Sequence, residues 1–222
     1  MSGGFPDGTT LDSVIAAFDA EALSPDDGVR YFHQLYREVT HEVARRYAAG
    51  SFEDTAFLVA LDVEFAGLYL DALRAPDTAP RAWRALFDRR AARLEPLRFA
   101  LAGMNAHINR DLAVALDVTI ERFGGTFDRD SPRHRDFVAI NTILDNLMAR
   151  AKTELFSPLD RFADSALGSL DDIVEAWSIT AARDNAWIHG TVLHALGPGL
   201  ARDFALTSFD RTAALIGKMI LL

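Results

Sequence analysis

The chain has 222 residues, half of them apolar, which is enough for a sizeable core within one domain. Its formal net charge of -9, from 23 Lys and Arg against 32 Asp and Glu, leaves no concentrated positive face for nucleic-acid phosphates. The lack of cysteine excludes disulfides, thiolate nucleophiles and Cys-ligated metal centres, and fits a reducing, cytoplasmic setting.

Residues 1–10 are rich in Gly, Pro and Thr, without a basic or apolar run, and read as a disordered tail rather than a signal peptide; residues 11–222 read as a single helical domain. Leu11, Val14, Ile15 and Phe18 form a first short helical stripe. Ser24-Pro25-Asp26-Asp27 predicts a helix start, and the stripe Val29, Phe32, Tyr36, Val39 and Val43 carries that helix toward a stop at Gly50. A third helix is expected over residues 54–74, with Phe57, Leu58, Leu61, Phe65, Leu68 and Tyr69 on its apolar side. Pro76 and Pro80 bracket a loop before a short helix holding Trp83, Leu86 and Phe87. The run Arg81, Arg84, Arg89, Arg90 and Arg93 is the one basic patch and reads as a solvated helix face.

Glu95-Pro96 opens the longest helix, which lasts to Gly124-Gly125. Ser131-Pro132 starts another, with Phe137, Ile140, Ile143, Leu144, Leu147 and Met148 on one side. Ser169-Leu170-Asp171-Asp172 resembles a capping box and predicts a helix through Trp177 and Ile188 to about Leu196, where Gly197-Pro198-Gly199 breaks it. A last helix closes the chain. The apolar end, Ile216 to Leu222, is too short to span a bilayer and suits a docked helix or a partner contact, a homodimer among the options. No segment alternates as a strand does. The expected fold is all-α, a single-domain bundle of about seven to nine helices around a central apolar helix at about residues 96–123.

Polar residues on apolar faces mark the candidate site. At about 100 degrees per residue, Leu97, Ala100, Met104, His107, Ile108, Asp111, Ala115 and Val118 share one side of the central helix, so His107 and Asp111 are neighbours one turn apart. Asn105 and Asn109 form a second pair pointing elsewhere. On the helix predicted from residue 169, Ile173, Trp177, Ala181, Ile188, Val192 and Ala195 define the buried stripe, with Asp184 inside it. Asp62 and Glu64 lie at opposite borders of their own stripe. Histidine suits proton transfer near neutral pH, and a carboxylate at its second nitrogen fixes the tautomer. His107 is therefore the candidate general acid or base, oriented by Asp62, Asp111 or Asp184, with Asn105 or Asn109 holding a substrate oxygen and Arg183 meeting an acid. The aromatic residues Phe65, Tyr69, Trp177 and Trp187 would enclose an apolar cavity.

This pattern points to a cofactor-independent cyclase, isomerase or lyase acting on a small, largely apolar substrate, away from nucleic acid and membrane. A metal-dependent hydrolase or oxygenase using His107 with Asp62, Glu64 or Asp184 is one alternative. A non-catalytic module that binds a ligand or partner is another, and the same polar residues also suit a buried network that fixes helix register. Two motifs are discounted. Asp171-Asp172-Ile173-Val174-Glu175 matches a diphosphate-binding pattern but is better explained as acids at a helix start. Glu38-Val39-Thr40-His41 is half of a di-iron pattern with no second copy, and its histidine faces away from the apolar stripe.

The segments FALAGMNAHINRDL (Phe99 to Leu112), LDVEFAGLYLDAL (Leu61 to Leu73), PRAWRALF (Pro80 to Phe87) and ARDNAW (Ala182 to Trp187) resemble an uncharacterised family of bacterial helical domains. The resemblance spans roughly residues 29–196, with MNAHINRDL its most specific part. The matching positions are Asp62, Tyr69, Trp83, Asn105, His107, Asn109, Asp111, Arg183, Asp184 and Trp187, while Glu64 and His189 depart from the pattern. Since the family carries no assigned activity, the resemblance implies a helical fold and a set of positions, not a reaction.

Overall fold

The computed structural model describes residues 8–155 and 178–222, with side chains from 151 to 155 left aside. The tail Met1–Asp7, the Asp171 motif and Trp177 lie outside the described residues. Helices α1 (Leu11–Ala20), α2 (Val29–Ala48) and α3 (Thr55–Arg74) come first, followed by a short 3₁₀ turn at Pro76–Thr78 and by α4 (Arg81–Phe87). Helix α5 (Pro96–Ala106), a π-helical turn (His107–Asp111) and α6 (Leu112–Phe123) then follow without a break. The remainder is α7 (Pro132–Leu155), α8 (Ile179–Leu196) and α9 (Leu200–Ile220), and no strand occurs among the described residues. The fold is the all-α bundle expected from periodicity.

The rod from Pro96 to Phe123 is its axis. Helix α5 packs against α2, α4 and α9, and α6 packs against α3 and α8. Close approach at the α2–α5 crossing depends on Gly103, where a Cβ would overlap the Phe32 ring. Most starts follow the residues that mark them. The Asp54 carboxylate accepts the Phe57 N–H at 3.2 Å and so caps α3. Prolines stand at the first position of α5 and α7, and Gly124 adopts a positive φ of 67° just past α6.

Three expectations are corrected. Ser24-Pro25-Asp26-Asp27 forms a turn instead of the first turn of α2; the Asp27 carboxylate instead accepts the N–H of Val29, where the helix begins. Ser178 is extended, its hydroxyl accepting the Ala181 N–H at 3.2 Å, so α8 starts at Ile179 and does not continue a helix from residue 169. Its buried seam is Ile179, Ala182, Arg183, Ala186, Trp187, Gly190 and Leu193, while Ile188 and Val192 of the expected stripe are 48% and 39% exposed. The third correction is within the central rod. The Leu112 N–H reaches back five residues to the His107 carbonyl, adding a residue to that turn. Beyond it the stripe is displaced by one position, so Thr119 is buried and Val118 is 40% exposed.

Candidate functional site

The π turn sits where α5 and α6 pass the other helices, and it carries the buried pair predicted from the sequence. His107 Nδ1 lies 3.2 Å from Asp111 Oδ2. The same oxygen accepts the indole N–H of Trp83, from α4, at 2.7 Å, and the other carboxylate oxygen accepts Arg110 Nη1 at 2.6 Å. Burial alone would raise the Asp111 carboxyl, but the Arg110 guanidinium and the His107 hydrogen bond outweigh it and hold the group below the usual range. An ionised carboxylate can only accept, so Nδ1 carries the ring proton. Burial also lowers the His107 pKa, against the pull of Asp111, and the ring is neutral near pH 7. Its Nε2 is then a bare lone pair. That atom is buried and has no hydrogen-bond partner.

Packing fixes the ring's orientation. Phe65 stacks on it with centroids 3.5 Å apart and planes 5° from parallel, and Tyr36 meets it edge-on at 4.5 Å. On α3, one turn before Phe65, stands Asp62. Part of its side chain remains accessible, but Oδ2 is buried and unpartnered. Burial pushes the Asp62 carboxyl up to about 7, with Arg183 pulling the other way. Asp62 is therefore poised to give or take a proton near neutrality.

His107, Asp62 and Arg183 all line one cavity of about 50 Å³. Leu35 and Val39 of α2, Leu58 and Leu61 of α3, Met104 of α5, and Ile140, Leu144 and Leu147 of α7 supply apolar walls, with Phe65 and Tyr36 between them. Burial, reinforced by the Asp62 and Asp111 charges, raises the Tyr36 hydroxyl well above its ordinary value, so it stays protonated. A liquid water occupies about 30 Å³. The void therefore holds one or two waters or the reacting end of a small molecule.

The other sequence candidates lie elsewhere. Asn105 donates from Nδ2 to the Ala213 carbonyl at 2.7 Å and accepts Asn109 Nδ2 at 3.0 Å, so this pair ties the rod to α9 instead of facing the cavity. Tyr69 gives its hydroxyl proton to His33 Nδ1, because the far nitrogen of that ring donates to the Phe18 carbonyl at 3.1 Å. Trp187 is buried among Phe127, His134 and Phe137. Glu64 is half-buried outside the cavity, its carboxyl raised by burial against the pull of Arg122. Asp184 is the clearest correction. Its side chain is 48% exposed, 4.0 Å from Arg129, because α8 turns the neighbouring Arg183 inward instead.

Within the basic run, Arg90 pairs with Asp27, Arg89 donates to the Leu221 carbonyl, and Arg81 and Arg84 are exposed along a surface groove. Among the described residues, no three His, Asp or Glu side chains stand close enough to hold a metal ion.

Sequence reasoning missed Tyr36, Trp83 and Arg110 as parts of the site. Periodicity marks Tyr36 and Trp83 only as core residues, yet a buried phenol or indole needs a destination for its polar atom, and that requirement is the signal that was available. Arg110 gave none, since its position on a straight helix points away from the pair.

This arrangement agrees with what the chain is similar to. A family model described as a family of unknown function (DUF5995) matches residues 10–222. The chain belongs to the DUF5995 family. The match takes in every described helix and every cavity residue named above, so the site belongs to the part of the chain that defines membership in DUF5995. No curated protein and no solved structure matches this DUF5995 chain. Among the described residues, no helix is long and apolar enough to cross a membrane.

Proposed function

We propose that this chain is a small-molecule enzyme of the isomerase, lyase or cyclase kind, in which His107 moves a proton on a largely apolar substrate without help from a cofactor. One observation carries the reading: two unpartnered polar atoms, His107 Nε2 and Asp62 Oδ2, border the same apolar cavity. A buried polar atom without a partner costs about 1–3 kcal/mol, a cost that a ligand offsets when it supplies the missing hydrogen bond.

The roles follow from the protonation states. The bare Nε2 accepts a proton from the substrate. Asp111 positions the ring through Nδ1 and stabilises the imidazolium that results, without touching the substrate. Asp62, with its pKa of about 7, returns a proton at a second atom. Water is kept out by the aliphatic walls, which strengthens each of these interactions.

The test is proton exchange in deuterium oxide. Small ketones such as butanone are incubated with the protein, and loss of the α-proton signal is followed by NMR. Exchange that falls at least about a hundredfold in His107→Gln, with the fold intact by circular dichroism, is the expected result. If His107→Gln exchanges as fast as the natural protein, His107 is not the base and the proposal fails.

The size of the cavity favours a second reading. Ligand pockets usually measure about 300–1,000 Å³, and a void of about 50 Å³ suits a module that binds a small ligand and does not turn it over. In that case ligands shift the His107 resonances and no α-proton is exchanged.

A further inference from the structure

Arg183 is a guanidinium with 5% exposure on the inner seam of α8, at the edge of the cavity. Its recorded partners are neutral. Nε donates to Asn141 Oδ1 at 2.6 Å, Nη2 donates to the Phe137 carbonyl at 2.7 Å, and the group lies 4.1 Å from the centroid of the Phe137 ring. These bonds use two of the five N–H donors that a guanidinium carries. Among the described residues, no carboxylate comes within ion-pair distance of it.

Asp111, the other fully buried ion near the cavity, has Arg110 in direct contact at 2.6 Å. The fold therefore matches one buried charge with an opposite one and leaves the second unmatched, although an uncompensated buried ion is costly. The other cavity groups offer little compensation. Tyr36 from α2 and His107 from the π turn are uncharged near neutrality, α5 contributes Met104, and α7 presents the Asn141 amide beside Ile140, Leu144, Leu147 and Met148. Asp62 from α3 is the one group whose charge could answer it, and burial works against that charge.

We infer that the substrate of this cavity is an apolar carboxylic acid, bound as its carboxylate against Arg183 with its hydrocarbon part along Leu35, Leu61 and Leu144. The inference rests on the proposal that the cavity is the ligand site. Carboxylate is favoured over phosphate because a planar guanidinium fork matches two coplanar oxygens, whereas a tetrahedral oxyanion has further oxygens that these aliphatic walls cannot satisfy.

Binding has a consequence for Asp62. A second carboxylate sharing one guanidinium in the same dry space disfavours ionisation of the first, so Asp62 takes up a proton as the ligand enters. The substrate would thereby create the acid that its own reaction uses.

The experiment is calorimetry with butanoate, butanamide and butan-1-ol at about pH 8, in two buffers of different ionisation enthalpy, with His107 side-chain resonances followed by NMR in parallel. Butanoate is expected to bind roughly thirtyfold or more tightly than the two neutral ligands, because a buried charge is left unpaired without it. Butanoate binding should also take up a substantial fraction of a proton. Arg183→Met should abolish the preference for butanoate; if that variant does not fold, the ligand comparison on the natural protein decides alone. Equal binding of butanoate and butan-1-ol overturns the carboxylate inference and leaves the ligand site standing. If none of the three ligands moves the His107 resonances, the inference and the proposal beneath it fall together.

Discussion

The substitution Asp62→Asn is expected to stabilise the protein above neutral pH and to leave it unchanged near pH 4. The carboxyl has a pKa of about 7 in the folded chain against 3.8 as its ordinary value. Below the lower value both folded and unfolded chains carry the proton, and the group makes no difference. Between the two values the folded chain holds a proton that the unfolded chain has released, so stability falls as pH rises. Each pH unit in that window costs about 1.4 kcal/mol, which accumulates to at most about 4 kcal/mol by pH 7. This is an upper limit because part of the Asp62 side chain stays in contact with solvent. The amide of the variant cannot ionise and escapes the loss. Urea denaturation of the natural protein and of Asp62→Asn at intervals from about pH 4 to pH 8 reads the difference directly, provided the m-value is unchanged. The two stability curves should meet at the acid end, diverge through the window and run parallel above it. Curves that stay parallel throughout would show that Asp62 ionises normally in the fold, and its assignment as proton donor would go with them.

Two further substitutions probe the frame around the site. Trp83→Phe removes the indole donor from Asp111 and should cost about 1–3 kcal/mol in urea denaturation; with one donor fewer, Asp111 holds the His107 proton more strongly, so the imidazole should titrate at a higher pH by NMR. Gly103→Ala places a methyl group into the Phe32 ring at the α2–α5 crossing and should cost about 1–3 kcal/mol by the same measurement, since neither helix can withdraw without opening the cavity wall that Phe32 forms.

Helix positions were legible in the sequence because caps and prolines mark them. The start of α7 at Ser131-Pro132 and the apolar set Phe137, Ile140, Ile143, Leu144, Leu147 and Met148 were readable and are all buried as expected. His107 with Asp111 was legible for a similar reason: a spacing of four residues keeps two side chains together on any regular helix. The burial of Asp184 was misjudged because the apolar side of α8 was counted through Trp177, across the extended residue Ser178 that resets the helix. Ile188 and Val192 are as hydrophobic as core residues, so composition could not reveal which side faces in. The cavity itself depends on pairings between α2, α3, α7 and α8 that periodicity within any one helix does not encode.

The five-residue turn at His107–Asp111 also sets how the protein can vary. A uniform cylinder has one angular setting for all its neighbours, but the offset gives this axis two, one for α2, α4 and α9 and another for α3 and α8. Loss of a single residue there would restore a straight rod and rotate everything downstream by about 100 degrees, turning Val118 inward and Thr119 out. Side chains on the turn can therefore be exchanged one at a time, whereas its length is fixed: a deletion scan of the rod should find no tolerated position between His107 and Asp111, however mild the residue removed.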